Sequence, residues 1–341
     1  MTRRHRAALR AVATTLLMVG LAFPAAAEDY YAGKTMKLAV SSDAGGGYDL
    51  YTRILARHLP RFLAGMPGVI VQNHPGAGGL SGAHYLYQTA AKDGTEFGEI
   101  HATTMFSAIL GIAGEEIDPT KYAWIGSMAS DTDVCSFWKT SGIRTFQDMV
   151  DKPSVIGAPG KSDQAFTFPN AINNVLGTKM KIVLGYKGTG DRLLALERGE
   201  LTGSCGINGS TMKSVAAQPL ADGSFIPVVQ SGLKPASAFP DLPLTLSYAR
   251  TDAQRQILEP IFSQMAIARA YAAPPGLSPE RVAALRTAFW NTVNDPELKA
   301  DAAKANIDIS PMRGEEVQQL IAKLAATPAA LKPKIAAAIA D

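Results

Sequence analysis

Glycine is concentrated in this chain where backbone amides, and not side chains, would do the chemistry: in Ser42-Asp43-Ala44-Gly45-Gly46-Gly47 and again in Pro75-Gly76-Ala77-Gly78-Gly79. Each run follows a short apolar stretch and precedes a helical pattern, so free N–H groups and the positive end of a helix would face whatever sits above the loop. Without a Cβ, the backbone can also be approached closely. Two such turns side by side could hold a carboxylate with no arginine at all. A single glycine loop is ordinarily a tight turn, but Pro159-Gly160-Lys161-Ser162-Asp163 and Gly185-Tyr186-Lys187-Gly188-Thr189-Gly190 repeat the pattern in the second half of the chain. Four loops in two similar halves favour a binding role over a structural one.

Other chemistries find less support. Gly45-Gly46-Gly47 lacks the Lys-Ser/Thr ending of a phosphate loop and does not match the dinucleotide fingerprint. No G-x-S-x-G elbow occurs. His58, His74, His84 and His101 show no pair at metal-ligand spacing, so each reads better as a surface or core residue. Cys135 and Cys205 fit no zinc or redox spacing; one disulfide and two small buried hydrophobes are both open readings. Lys161 and Lys187 could pair with a second ligand carboxylate, against the commoner role of solvated surface lysines. Asp43 would repel a carboxylate, so it is expected to turn outward as a loop cap. No catalytic residue, metal or cofactor is expected.

These loops need strands beneath them and helices behind them. Lys37 to Ser41, Val69 to Val71 and Glu96 to His101 read as strands, the last ending at Thr103 and Thr104. Leu50, Ile54, Leu55, Leu59 and Phe62 make one helical stripe, and Leu80, Ala83, Leu86, Tyr87 and Ala90 another. After Trp124 to Ser127 the order restarts with strands at Asp133 to Trp138, Ser154 to Ala158, Lys181 to Leu184, Leu201 to Ile207 and Phe225 to Gln230. Strands alternating with helices imply an α/β fold with parallel or mixed sheets. The apolar run Gln264 to Tyr271 reads as a further strand, and the remainder is helical. That late strand suggests a chain that returns to complete its first half.

Residues 1–27 read as an export signal: Arg3, Arg4, Arg6 and Arg10, an apolar run from Val12 to Phe23, then Pro24-Ala25-Ala26-Ala27. The general secretory route is favoured over the twin-arginine route, with cleavage after Ala27 and a periplasmic destination. Removing those four arginines from the formal net charge of +3 leaves −1. A near-neutral mature surface does not suit nucleic-acid binding.

Val40 to Asp49 and Asn73 to Gly82, followed by Lys92-Asp93-Gly94-Thr95 and Gly185-Tyr186-Lys187-Gly188, resemble the Bug-type periplasmic solute-binding proteins of the tripartite tricarboxylate transporter family. The resemblance runs from about Tyr30 to the C-terminal helices, and Asn73-His74-Pro75-Gly76-Ala77-Gly78-Gly79 is its most distinctive stretch. It implies a two-lobed type II periplasmic-binding-protein (Venus flytrap) architecture that closes on a small organic anion, in particular a carboxylate. It further implies contacts from Ser42, Asp43, Ala44, Gly45, Gly46, Gly47, Tyr48 and Asp49, and from Gly76, Ala77, Gly78 and Gly79, largely through backbone N–H groups. The other lobe would add Gly160, Lys161, Ser162 and Asp163, then Tyr186, Gly188 and Thr189; Thr103, Ser204 and Asn208 complete the expected cleft. Tyr48 stands where the family commonly has a small residue and His74 where it often has arginine, which leaves the ligand open. Lobe one is expected to comprise residues 28–123 and 264–341, and lobe two residues 124–263. A monomer that hands its ligand to membrane permease subunits of a secondary transporter is the leading expectation. A sensor subunit with the same cleft and a periplasmic enzyme acting on an organic acid are the alternatives.

Overall fold

The computed structural model describes residues 30–112 and 116–341, so the expected export signal at 1–27 lies outside the described residues. The chain opens with β1 (Thr35–Val40), whose Met36, Leu38 and Val40 are fully buried with the period of two that a strand imposes. Helix α1 (Gly47–His58) sets Tyr51, Ile54 and Leu55 into the same core. Then come β2 (Gly68–Asn73), α2 (Leu80–His84), β3 (Glu96–Glu99), α3 (Ala102–Ile109) and β4 (Ala123–Ser127). The middle of the chain supplies β5 (Asp133–Trp138), α4 (Phe146–Asp151), β6 (Ser154–Ala158), α5 (Gln164–Leu176), β7 (Met180–Leu184), α6 (Thr189–Glu197), β8 (Gly203–Asn208), α7 (Gly209–Val215), α8 (Ala217–Ala221) and β9 (Phe225–Ser231). Last are α9 (Asp252–Ser263), β10 (Ala270–Ala273), α10 (Pro279–Asn294), α11 (Pro296–Lys304), β11 (Met312–Arg313), α12 (Gly314–Ala325) and α13 (Lys332–Ile339).

Two mixed sheets result. The first has the order β11-β4-β10-β3-β1-β2 and the second β7-β6-β8-β5-β9. Helices cover both: Phe97, Tyr271 and Phe289 lie in the core between the first sheet and α1, α10 and α11, and Phe168, Ile172 and Phe262 anchor α5 and α9 on the second. Local sequence marks the helix starts. Asp163 caps α5 by accepting from the Ala165 amide, and Thr145 with Asp148 and Thr251 with Gln254 form reciprocal capping boxes on α4 and α9. Cys135 on β5 and Cys205 on β8 are joined as a disulfide within the second sheet. No helix among the described residues is long and apolar enough to cross a membrane.

Three features differ from the sequence expectation. β4 pairs with β10 in the first sheet, so the passage between sheets follows Ser127 and residues 124–127 do not belong to the second lobe. The run from Gln264 is a 3-10 turn through Ile267, and only Ala270–Ala273 is strand; its apolar residues are buried between helices and not in a sheet. The last helix also crosses over: Ile335, Ala338 and Ile339 of α13 join the core of the second sheet against α5 and α9.

Candidate functional site

The loops after β1 and β2 and those after β6 and β7 face one another across a cleft of about 770 Å³. From the first sheet the lining is Ser41 to Tyr48, Pro75 to Gly79, His101 and Arg269; from the second it is Pro159, Asp163, Gln164, Gly185 to Arg192, Gly206, Asn208 and Thr211. Parallel strands place these turns at their C-terminal ends, where open α/β sheets gather ligand-binding loops.

The first turn is held from behind. Asp49 Oδ2 accepts from the Gly45 amide (2.9 Å) and from Arg53 Nε (2.8 Å), and its Oδ1 accepts from Asn73 Nδ2 (2.9 Å). Burial opposes ionisation of Asp49, but these donors outweigh it and hold the carboxyl below its ordinary range. Asp49 therefore clasps the loop and does not line the cleft. In the second turn Gly78 (φ +66°) and Gly79 (φ +95°) occupy left-handed backbone. A Cβ on Gly78 would come within 2.7 Å of the Asp163 amide nitrogen and one on Gly79 within 2.5 Å of His101 Nδ1, so glycine is required on both conformational and spatial grounds.

The two walls touch. Ser162 Oγ donates to the Ala77 carbonyl (2.6 Å), Arg269 Nη1 donates to Asn208 Oδ1 (3.1 Å), and Arg269 Nη2 donates to Thr211 Oγ1 (2.8 Å). The two walls are thus bonded directly to each other across the cleft.

Among the residues expected at the site, Ser42 to Tyr48, Gly76 to Gly79, Asp163, Tyr186, Gly188, Thr189 and Asn208 line the cavity. Six do not. Besides Asp49, Gly160 packs on the Gly78 backbone and Ser162 bonds Ala77, so both join the walls. Lys161 turns away to pair with Asp341 (3.0 Å). Thr103 is buried in the first turn of α3, and β3 ends before it. Ser204 is buried beneath Arg192, whose Nη1 it accepts (3.3 Å). Tyr48 stacks on His101 with ring centroids 4.0 Å apart, whereas His74 stacks on Tyr85 outside the lining.

The sequence reading missed His101, Gln164, Arg192, Thr211 and Arg269 as lining residues. Arg269 carried a signal, a lone arginine in the apolar run Met265 to Ala273, because arginine is seldom fully buried without a role. Its guanidinium lies between the rings of Tyr48 and Tyr51, 4.7 and 4.8 Å from their centroids, and 4.0 Å from Asp131. Arg192 donates to the carbonyls of Cys205 (2.7 Å) and Gly206 (3.1 Å), and its Nε has no hydrogen-bond partner among the described residues.

Around these cations the acids are abnormal. Burial pushes Glu99 up to about 8, against the Ser41 amide and Arg269, and pushes Asp133 up to about 8, against the Gly206 amide and Arg192. Burial lowers His101 to about 3, so its 3.8 Å approaches to Glu99 and Asp163 are contacts of a neutral ring and not ion pairs. Because Glu99 and Asp133 hold protons in the folded state that the unfolded chain releases, their contribution to stability is present below about pH 4 and lost as pH rises towards about 8. The melting temperature is expected to decline between about pH 5 and pH 8, and less steeply in a Glu99→Gln/Asp133→Asn variant. Parallel melting profiles for variant and wild type would contradict this assignment.

Among the described residues the one metal-like grouping, His58 with Asp295 and Glu297, is remote from the cleft lining, and Arg61 already bonds both carboxylates.

No protein-family model matches the chain. Over 102 residues it is 37% identical to the UPF0065 protein in the gbd 5' region of Cupriavidus necator, an alignment spanning 29% of this chain and 30% of that protein. Solved structures are similar over far more of the chain. The periplasmic binding protein BugD superposes with a TM-score of 0.70 at 18% identity, covering 90% of this chain and 99% of BugD. MatC from Rhodopseudomonas palustris with bound malate gives 0.68 at 16% identity, with 90% and 99% covered. The fold is that of the two-lobed periplasmic binding proteins.

Proposed function

We propose that this protein is an extracytoplasmic solute-binding protein of the Bug type, which captures a small organic acid by its carboxylate and delivers it to the permease of a tripartite tricarboxylate-type transporter. One observation carries this reading: glycine turns from both sheets, each opening a helix, converge on a single cleft. Charge-assisted backbone hydrogen bonds in a cleft that excludes water would supply the affinity, and lobe closure the signal that ligand is aboard. The malate bound to MatC, a protein of similar fold, supports a carboxylate class. The Arg-rich head of the sequence and the periplasmic origin of the similar structures support export. In this reading lobe one comprises the elements of the first sheet, on both sides of an inserted lobe two, and α13 straps the lobes together from outside.

Handover requires no bond to be made or broken, and an acid recovered unchanged after incubation would agree with that. A thermal-shift screen over dicarboxylates, tricarboxylates, aromatic acids and small amides tests the proposal. A true ligand at a hundred times its Kd should stabilise the folded state by about 2.7 kcal/mol. No dose-dependent shift with any carboxylate would refute it.

A further inference from the structure

The second sheet is irregular where it meets the cleft. Among the described residues β8 is in ladder with β6 only at Gly203, opposite Ile156, so the backbone beyond that point has no strand on that side. On its other side Val134 stands opposite Ile207 and Ser136 opposite Ser204, which sets two residues of β8, Cys205 and Gly206, against the single Cys135 of β5. Such a bulge turns backbone groups out of the ladder. Gly206 meets its geometry with a left-handed φ of +86°.

The groups so released are taken by buried side chains. The Cys205 carbonyl accepts from Arg192 Nη1 (2.7 Å), and the Gly206 carbonyl accepts from both Arg192 Nη2 (3.1 Å) and Gln164 Nε2 (3.2 Å). The Gly206 amide donates to Asp133 Oδ1. Gln164 opens α5, and the Arg192 amide bonds the Gly188 carbonyl at the start of α6. α5 also rests on the bulge itself, since a Cβ on Gly206 would lie 2.3 Å from Ala165 Cβ. The two helices that begin at the glycine turns of the second sheet therefore take their position from one adjacent pair of carbonyls. With no strand on the β6 side, that pair is held covalently from the β5 side by the buried bond between Cys135 and Cys205. A slip of the bulge along β5 would withdraw both carbonyls from Arg192 and Gln164.

We propose that the Cys135–Cys205 disulfide is a positioning element of the binding cleft: by clamping the β8 bulge it fixes the glycine turns at 159–163 and 185–190, so that the reduced protein binds its acid more weakly than the oxidised one. This rests on the receptor reading above and adds a redox dependence to it.

Two forms without the bond test the proposal. One is the variant Cys135→Ala/Cys205→Ala. The other is wild type unfolded and refolded with dithiothreitol, which gives two hydrogens to the disulfide and closes to its own cyclic disulfide, leaving two cysteine thiols and nearly the original side-chain volume. Oxidised wild type refolded without reductant is the control, and circular dichroism checks each fold. Calorimetric titration with malate, glutarate, citrate and benzoate should show the tightest of the four bound roughly 10-fold more weakly by both bond-free forms, because the acid must then order the turns itself. Deuterium exchange without any acid should quicken at residues 159–164, 185–192 and 203–208 and stay unchanged in the first sheet. A lower melting temperature with undiminished affinity, or failure of both forms to fold, would overturn the positioning role and leave the disulfide a staple of the core. Unchanged exchange at the two turns would overturn it whether or not an acid binds. Quickened exchange at the turns in a protein whose wild type binds none of the four acids would support the clamp and count against the carboxylate reading instead.

Discussion

Gly47→Val is expected to yield a folded protein that cannot close and binds its ligand roughly 100-fold more weakly. Gly47 opens α1 on the first lobe, and the atoms that crowd it belong to other elements. A Cβ there would fall on Thr211 Oγ1 and lie 2.9 Å from Thr211 Cγ2 and 3.2 Å from Arg269 Nη2. Thr211 sits on α7 of the second lobe, so the main clash exists only when the lobes meet. Opening the cleft relieves it at no cost to either core, which is why the ligand-free melting temperature should hardly move. If Thr211 rotated away it would surrender the hydrogen bond from Arg269 (2.8 Å), one of those that tie the closed walls together. Small-angle scattering should show the radius of gyration of Gly47→Val unchanged by ligand, and calorimetry should show the lost affinity. A milder Gly47→Ala variant should recover part of its affinity when Thr211→Ala is added. Wild-type affinity in Gly47→Val would mean that closure does not bring these residues together.

The glycine turns were legible because their signal is local: a strand, a run of residues that tolerate any backbone angle, and a helix start all lie within about fifteen positions. Strands such as Asp133–Trp138 and Ser154–Ala158 were legible for the same reason. The charged floor was not. Glu99 reads as part of a strand and Arg192 as an ordinary residue of a helix, and what makes them unusual is burial against other elements: Ser41, 58 residues away, bonds Glu99, and the strand carrying Ser204 to Gly206 covers Arg192. Gly206 and Asp133, which meet at 2.5 Å, are 73 residues apart. Gln264–Ile267 misled for a related reason: an apolar run of that length satisfies a buried strand or a buried turn equally well, and only its neighbours decide. The boundary after Ser127 and the crossing of α13 are likewise set by which sheet offers uncovered apolar surface, a property of the assembled core and not of the segment.

Arg269→Met should be the most damaging change in the cleft. The guanidinium is 1% exposed at its side chain and links both lobes, donating to Asn208 Oδ1, Thr211 Oγ1 and the Ala268 carbonyl. Methionine would fill much of the space between Tyr48 and Tyr51 but would leave Asp131 without its cation and Asn208 Oδ1 with only the Gln164 amide (2.9 Å). Removing one member of a buried ion pair commonly costs about 3–5 kcal/mol. Where that cost appears depends on which state keeps Asp131 dry. With the walls in contact nothing replaces the lost charge, whereas an opening that let water reach Asp131 would relieve it, which puts the expected cost on closure. The ligand-free melting temperature is then expected to drop only slightly while affinity falls by at least ~100-fold. Arg269→Lys should rescue little, because a single ammonium on a shorter reach cannot serve Asn208 and Thr211 together. An Arg269→Met protein that melts far lower without ligand yet binds normally once folded would show that this arginine holds up the first lobe and has no part in closing the cleft.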